Sequence, residues 1–434
     1  MNNKAEQFLN ELQGKIKRVA EIIEFNLYVV YTKDIRAGFI NKQIGGIYRP
    51  VSVNSSISGF YYFIYKDNKI ASGSLDSTAW SNFEEFMVAA KLASFEDPNP
   101  MPIASSKNIS LPKLCDSSIK DIVLNNPEKL LDVIKDSVDL SYENNPDVIE
   151  NSASYRYSQK AILTSKGLNL SSEGTIQALN FYFDSKISVN RFSRKIFALN
   201  ELKDEIDLST RYVKNLKEKP LKISSGKYPI LLIPDYSSSF LDHFVLNNIN
   251  GYSVEGGLSR FSKEDFLQKK LVFPPHLTIT VDQTKDMQNE SFSFTREGIL
   301  PQQFNVIENG QLVSPVCDSK TAKNMGFTAT DLSSFEDTKV KTYTSYQDFI
   351  KANSKFIVIF VCLGIHTQNS VLGEYSIPCP QSLFFEDGEV KGPVNCVING
   401  NAFEKLSSDN LEFIKHDLYK DKFLSFVSNV TIIS

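Results

Sequence analysis

The stretch Ser225-Gly226-Lys227-Tyr228-Pro229-Ile230-Leu231-Leu232-Ile233-Pro234 is the key to the fold, and DYSSSFLDHFVL (235–246) follows it. A glycine turn enters a short apolar run, which predicts a buried strand. Pro234 then opens a helix, because proline lacks an N–H that the first helical turn leaves unbonded in any case. Phe240, Phe244 and Val245 are available to pack that helix down. Two readings stand together: a junction that only packs a core, and a junction that carries chemistry.

Outward from this point, strand-like runs dominate the C-terminal half. They include 277–281, 304–308, 311–316, 356–363, 381–385, 389–391, 394–398 and 427–433. Asn309-Gly310 and Asp387-Gly388 predict two-residue hairpins, whose central positions need positive φ. Strands joined by hairpins predict a mostly antiparallel sheet or barrel with few helices.

The N-terminal half has a different pattern. Phe8, Leu9, Leu12, Ile16, Val19, Ala20 and Ile23 recur at helical spacing. Strands are predicted at 26–31, 59–65 and 69–73, then a helix near 82–94. Four prolines within 95–112 mark a linker. Short helices near 117–125 and 127–139, a hairpin of strands 152–164 and 174–183, and a helix over about 199–218 follow. The fold class is therefore α+β: N-terminal helices packed on antiparallel sheet, and a C-terminal β-rich, barrel-like domain. The expected divisions are 1–100, 110–218 and 219–434.

Composition narrows the function. The chain has 434 residues, 41% hydrophobic and 23% charged, with a net charge of −4. No long basic run is present, so a nucleic-acid footprint is not expected. The longest apolar run, FIVIFVCLGI (356–365), is too short to span a bilayer. Met1–Phe25 holds no apolar stretch of signal-peptide length, and the five scattered cysteines read as reduced thiols. These features predict a cytoplasmic chain with no membrane partner.

The four histidines, His243, His276, His366 and His416, are scattered, and no local zinc motif or C-x-x-C pair occurs. His243 beside Asp242 reads as a satisfied, partly buried residue. His366 follows a buried strand in a turn-prone stretch. It reads either as a surface-loop histidine or as a lining residue of a groove shared with a partner. Cys379 lies between Pro378 and Pro380, which predicts exposure or a strand edge. A nucleophilic role finds no basic neighbour in sequence to support it.

Several blocks together resemble the TldD/PmbA family, a metalloprotease family also described as modulators of DNA gyrase. They are SSISGFYYFIYKDNKIASGSLDS (55–77), LPKLCDSSIKDI (111–122), ILTSKGLNLS (162–171), SSGKYPILLIPD (224–235), FTREGILPQQFNVIENGQL (294–312), TAKNMGFTAT (321–330) and LGIHTQNSVLGEYSIPCPQSLFFEDGEVKGPVNCVINGNAFEKL (363–406). Their order and spacing carry the resemblance over most of the chain, on the PmbA side, also called TldE.

That resemblance implies a division of roles. A TldD-type chain holds a metal through a His-Glu pair and a second His four residues beyond the Glu, on the helix after this same strand. The matching positions here are Ile233, Pro234 and Ser238, none of which can do that work. The TldD side also supplies a cysteine near its C-terminus, and no cysteine follows Cys396 here. The resemblance therefore implies no cofactor in this chain and zinc or a similar divalent metal in a TldD-type partner. It also implies a peptide substrate. The glycine-rich loop, with Gly364, Gly373 and Tyr375, departs mildly from the family pattern. His366, Gly373 and Tyr375 are the candidate substrate-binding residues. The expected function is the non-metal subunit of a heterodimeric metallopeptidase acting on unfolded or small peptides. The alternatives are a non-enzymatic homodimer that binds peptides, and an independent hydrolase using Cys379 or a serine.

Overall fold

The computed structural model describes residues 3–433 apart from 41–42, 46–50, 76, 107–108, 145–147, 185–186, 333, 336–338, 341–342, 410 and 417–423. Lys107 and Asn108 of the expected linker thus lie outside the described residues.

Helix α1 (Lys4–Ile16) is capped by the Asn3 side chain and buries Ala5, Leu9, Leu12 and Ile16. Strand β1 (Ile22–Ile40) is the spine of the N-terminal half. Together with β2 (Gln43–Ile44), β3 (Ser52–Tyr65), β4 (Lys69–Leu75), β5 (Phe95–Glu96), β6 (Val148–Thr164), β7 (Asn169–Phe183) and β8 (Ser188–Ser193) it forms one sheet in the order β5-β4-β3-β1-β6-β7-β8, with β2 on β1. All its pairings are antiparallel. The hairpin expected in the middle of the chain, β6/β7, lies directly beside β1, so segments 1–100 and 110–218 share this sheet.

Strand alternation gives the sheet two unlike faces. Leu27, Val29, Phe63 and Leu163 point to the side of α1, α2 (Ser77–Ser81) and α3 (Phe83–Leu92). Ile35, Phe39, Tyr155 and Phe181 pack with α4 (Ser117–Asn125) and α5 (Lys129–Asn144). Asp116 caps α4 by accepting from the Ser118 and Ile119 N–H groups at 2.8 and 3.3 Å. The opposite face carries Thr32, Ser158, Lys160 and Ser172, which sit across from one another on β1, β6 and β7.

The C-terminal half is the barrel-like, β-rich part that the sequence predicts. Strands β9 (Gly226–Leu232), β15 (Lys355–Val361), β16 (Glu374–Glu386), β17 (Glu389–Asn401) and β19 (Leu424–Ile433) curl until β19 pairs with β9. Strands β14 (Thr344–Ser345) and β18 (Glu412–Lys415) extend the sheet. A smaller sheet holds β10 (Ile279–Asp282), β11 (Gln303–Glu308), β12 (Gln311–Leu312) and β13 (Lys339–Val340). Pairing is mostly antiparallel, with β9/β15 and β14/β18 parallel. Both predicted hairpins form, with φ of 49° and 76° at Asn309-Gly310 and 52° and 79° at Asp387-Gly388. Helix α6 (Lys203–Leu216) joins the halves: Ile206 and Val213 share a core with Phe356, Phe360 and Phe385. Among the described residues no helix is long and apolar enough to cross a membrane.

One sequence expectation is corrected. Cys379 is not exposed or at an edge; it is 0% exposed, in the interior of β16, opposite Cys396 on β17. Alternation explains this, because Pro378 and Pro380 face solvent while Cys379 between them faces inward. The β15 ladder meets β16 only from Gln381 onward, so the prolines remove no bond from it. Cys362 Sγ lies 3.9 Å from Cys379 Sγ. That neighbouring thiol, followed by burial, holds Cys379 in its neutral form, against an opposing contribution from Cys396. Burial likewise pushes Cys115 up to about 11 and Cys317 up to about 12.

Two predictions follow from the packing. In the native protein at neutral pH, all five thiols should react slowly with a maleimide, and all should react promptly in denaturant. Mass mapping that finds Cys379 labelled within seconds in the native state would contradict its burial. The second concerns Asp97, whose carboxylate accepts from Lys320 Nζ at 2.6 Å and so ties the proline-rich segment to the helix Ser319–Met325. Burial opposes ionisation of Asp97, but Lys320 and the Asn99 N–H outweigh it, leaving its pKa below the usual carboxylate value. The folded pKa lies below the unfolded one, so the stabilisation is complete above about pH 4 and fades as pH falls below that. Asp97→Asn should therefore cost about 1–2 kcal/mol at pH 6 by urea unfolding, and progressively less towards pH 3. A pH-independent difference would show that the ion pair is not its source.

Candidate functional site

The strand–helix junction forms as the sequence predicts. β9 runs between β15 and β19, and α7 (Pro234–Leu241) starts at once, with Ile233 as its N-cap and Pro234 in its first turn. The Ile233 N–H donates to the Ile359 carbonyl at 3.3 Å, and Ser237 Oγ donates to the Leu232 carbonyl at 2.8 Å. The chain geometry at the turn is thus fixed by backbone and hydroxyl bonds. Helix α7 runs on into a π turn over Asp242–Leu246. There Asp242 accepts from the Phe335 N–H and Ser334 Oγ, both at 2.6 Å.

Pro234 and Ser238 are four residues apart and share a helix face. Ile233 packs, partly buried, against the core common to both halves, and Ser238 is 8% exposed. The adjoining cavity of about 30 Å³, also lined by Asn190, Glu205 and Asp235, has room for about one water. Ile233 and Pro234 offer no donor atom to a metal, and Ser238 offers one hydroxyl. These residues do not fit a metal. Among the described residues no group of three or more His, Cys, Asp or Glu side chains is placed to hold one.

The second candidate region is the connection from β15 to β16. Gly364, at φ 76°, starts a 3-10 turn over Ile365–Thr367, which leaves the His366 side chain exposed between the exposed Leu363 and Leu372. Gln368 holds the loop: its Nε2 donates to the Gly364 carbonyl at 2.9 Å and its Oε1 accepts from the Ser376 N–H at 2.9 Å. Its backbone carbonyl lies 2.9 Å from His243 Nε2 on the π turn. Gly373 is buried at φ 79°, and a Cβ there would stand 2.5 Å from the Phe403 ring. Tyr375 is 5% exposed, with its ring 5.6 Å from that of Phe240 on α7. Burial holds its phenol neutral. Of the three loop residues, His366 alone presents its side chain to solvent. Gly373 shapes the loop, and Tyr375 braces α7. His276 Nε2 meets the Leu411 carbonyl at 3.0 Å, and the His416 ring packs on Tyr346.

Two larger cavities lie on the polar face of the N-terminal sheet, and another, of about 390 Å³, lies in the C-terminal half between 254–264 and Asn324–Met325. One of about 440 Å³ is lined by Tyr28, Lys160, Tyr252, Phe294, Thr295 and Asp331 among others. Another of about 230 Å³ is lined by Thr32, Arg156, Ser158, Lys160, Glu173 and Arg194 among others. Lys160 and Phe292 belong to both. Their roof is the segment 288–299. Ser172 Oγ bonds Ser293 Oγ at 2.7 Å, Asn26 Nδ2 donates to the Arg296 carbonyl at 3.1 Å, and Arg194 donates to the Gln288 and Ser291 carbonyls at 2.8 and 2.6 Å. Gly298, at φ 82°, lets the roof approach closely: a Cβ there would stand 2.7 Å from Ala104 Cβ. Sequence reasoning missed this region. The alternation from Ser154 to Ile162 was a signal for a polar sheet face, but it could not show what stands opposite that face.

Three comparisons bear on this architecture. Residues 225–431 match the model of the PmbA/TldA metallopeptidase C-terminal domain. An uncharacterised protein of Methanocaldococcus jannaschii is 24% identical over 370 residues, covering 81% of this chain and 85% of that one. The crystal structure of TldE from Thermococcus kodakarensis superposes with a TM-score of 0.78 at 17% identity, over 98% of this chain and 100% of that one. A Thermotoga maritima protein, solved as a candidate modulator of a DNA gyrase, matches with a TM-score of 0.78 at 17% identity, over 99% and 100%. Residues 225–431 thus carry the C-terminal domain of the TldD/PmbA family, and in its fold nearly the whole chain is TldE-like.

Proposed function

We propose that this chain is the non-metal subunit of a heterodimeric metallopeptidase. The observation that carries the reading is the junction after β9. The strand and helix that would present metal ligands are intact, while the positions themselves hold Ile233, Pro234 and Ser238. The matched domain description, a metallopeptidase C-terminal domain, supplies the reaction class. A TldD-type partner would supply the metal and its activated water. This chain would bind and enclose an unfolded or small peptide, with exposed backbone edges available to pair with extended substrate. The thiols suit a reducing compartment, which accords with a cytoplasmic complex.

The test is assembly followed by activity. Tagged chain co-expressed with a relative bearing the His-Glu and second His should retain it at equal stoichiometry, and the pair should cleave denatured casein in a chelator-sensitive way. Elemental analysis of the isolated chain should find less than about 0.1 zinc per chain, well short of the full occupancy of a structural site. Chelator-sensitive proteolysis by the isolated chain, or one tightly held metal per chain, would overturn the assignment. A stable homodimer that binds peptide but ignores every such relative would favour the non-enzymatic peptide-binding alternative.

A further inference from the structure

Lys160 is a charge that the packing around it does not explain. It lies in the middle of a sheet, on β6, half-buried at the junction of the two cavities. Among the described residues its amine makes no hydrogen bond and no ion pair. Burial pulls its pKa below the usual lysine value, the Arg194 charge acts in the same sense, and Asp331 opposes both. Arg156 stands on the same strand face, four residues away and exposed. Across the ladder from Arg156 is Asp34, but Asp34 is bound to Arg36 at 2.9 Å. The carboxylate that lines the smaller cavity, Glu173, is bound to Lys120 at 2.6 Å and also accepts from Tyr157 Oη. The smaller cavity thus carries positive charge that its own acids do not neutralise. The larger one is different: Glu297, Asp318 and Asp331 line it beside aromatic rings and hydroxyls.

A buried cation is costly unless an anion meets it. The anion that fits here carries one charge on a mostly neutral body. A dianion such as phosphate would bring its second charge towards the three acids of the larger cavity. A peptide terminus meets both conditions. We propose that the joined cavities bind the C-terminal end of a short peptide, with its α-carboxylate against Lys160 and Arg156 and its body in the larger cavity among Tyr28, Tyr252 and Phe294. This rests on the peptide-binding role proposed above and narrows the substrate to chains with a free carboxyl end. Segment 288–299 is the wall that closes the site, and Gly298 allows it to lie close.

The experiment is calorimetric titration of the purified chain with N-acetyl-trialanine and with its C-terminal amide. The free acid should bind at least about tenfold more tightly, a difference of about 1.4 kcal/mol. Lys160→Gln should remove the discrimination, and Lys160→Arg should retain most of it, which guards against a misfolded glutamine variant. Inorganic phosphate should compete poorly. Equal binding of acid and amide, discrimination that survives in Lys160→Gln, tighter binding of phosphate, or binding of neither peptide would each overturn the proposal. None of these outcomes touches the subunit assignment, which stands or falls on co-purification with a metal-bearing relative.

Discussion

The structure depends on burying one short strand from both sides. Ile230 and Leu232 belong to the core that includes Phe244, Ile359 and Ile398, while Leu231 belongs to the core that includes Val213, Phe360 and Phe385. All three side chains are 0% exposed. Fully burying one such side chain contributes about 2–3 kcal/mol, and here successive residues contribute it to different cores. The same backbone pairs with β15 on one edge and β19 on the other, which closes the curl of the sheet. Apolar residues without alternation are what a strand buried on both faces requires.

That constraint fixes what the junction can hold. Once β9 is locked, α7 starts where it must, and its side chains have little freedom. Phe240 and Phe244 fill the space below the helix and meet Tyr375 from β16. Ile233 packs against the other core. A metal centre at this place would need donors on an outward-facing helix surface and a polar surround. The residues present convert the position into packing. The loop with Gly364 and Gly373 is held to the same unit by Gln368 and His243, so its conformation is coupled to that helix.

Legibility in the sequence followed the sharpness of the local signal. The junction, both hairpins and α1 as far as Ile16 were readable from proline at a helix start, Asn-Gly and Asp-Gly turns, and a helical apolar stripe, but Val19, Ala20 and Ile23 continue that stripe beyond the helix, and Ile23 lies on β1. Strand β1 was read over 26–31 and runs from Ile22 to Ile40. Its second half carries Asp34 and Arg36, which resemble a loop but lie on the face of the strand opposite Ile35 and Phe39. Cys379 was misplaced because its prolines were weighed without the alternation that turns them outward. The joined cavities were illegible for a different reason. Lys160 and the segment 288–299 are more than a hundred residues apart, and no local pattern reports their meeting.

The two faces of the N-terminal sheet carry the last step of the argument. The helix-covered face is filled by aromatic and aliphatic side chains and has the ordinary character of a core. The other face could have been covered in the same way, since the same strands supply both. It instead presents Thr32, Ser158, Lys160 and Ser172 to a wall held off by hydrogen bonds from Asn26, Ser172 and Arg194. A wall supported by polar contacts at its margins, over a cation that makes no ion pair among the described residues, keeps open a space that hydrophobic packing would have closed. In this chain the junction after β9 is filled by packing and this space is not, so the room the fold leaves open lies at the polar sheet face.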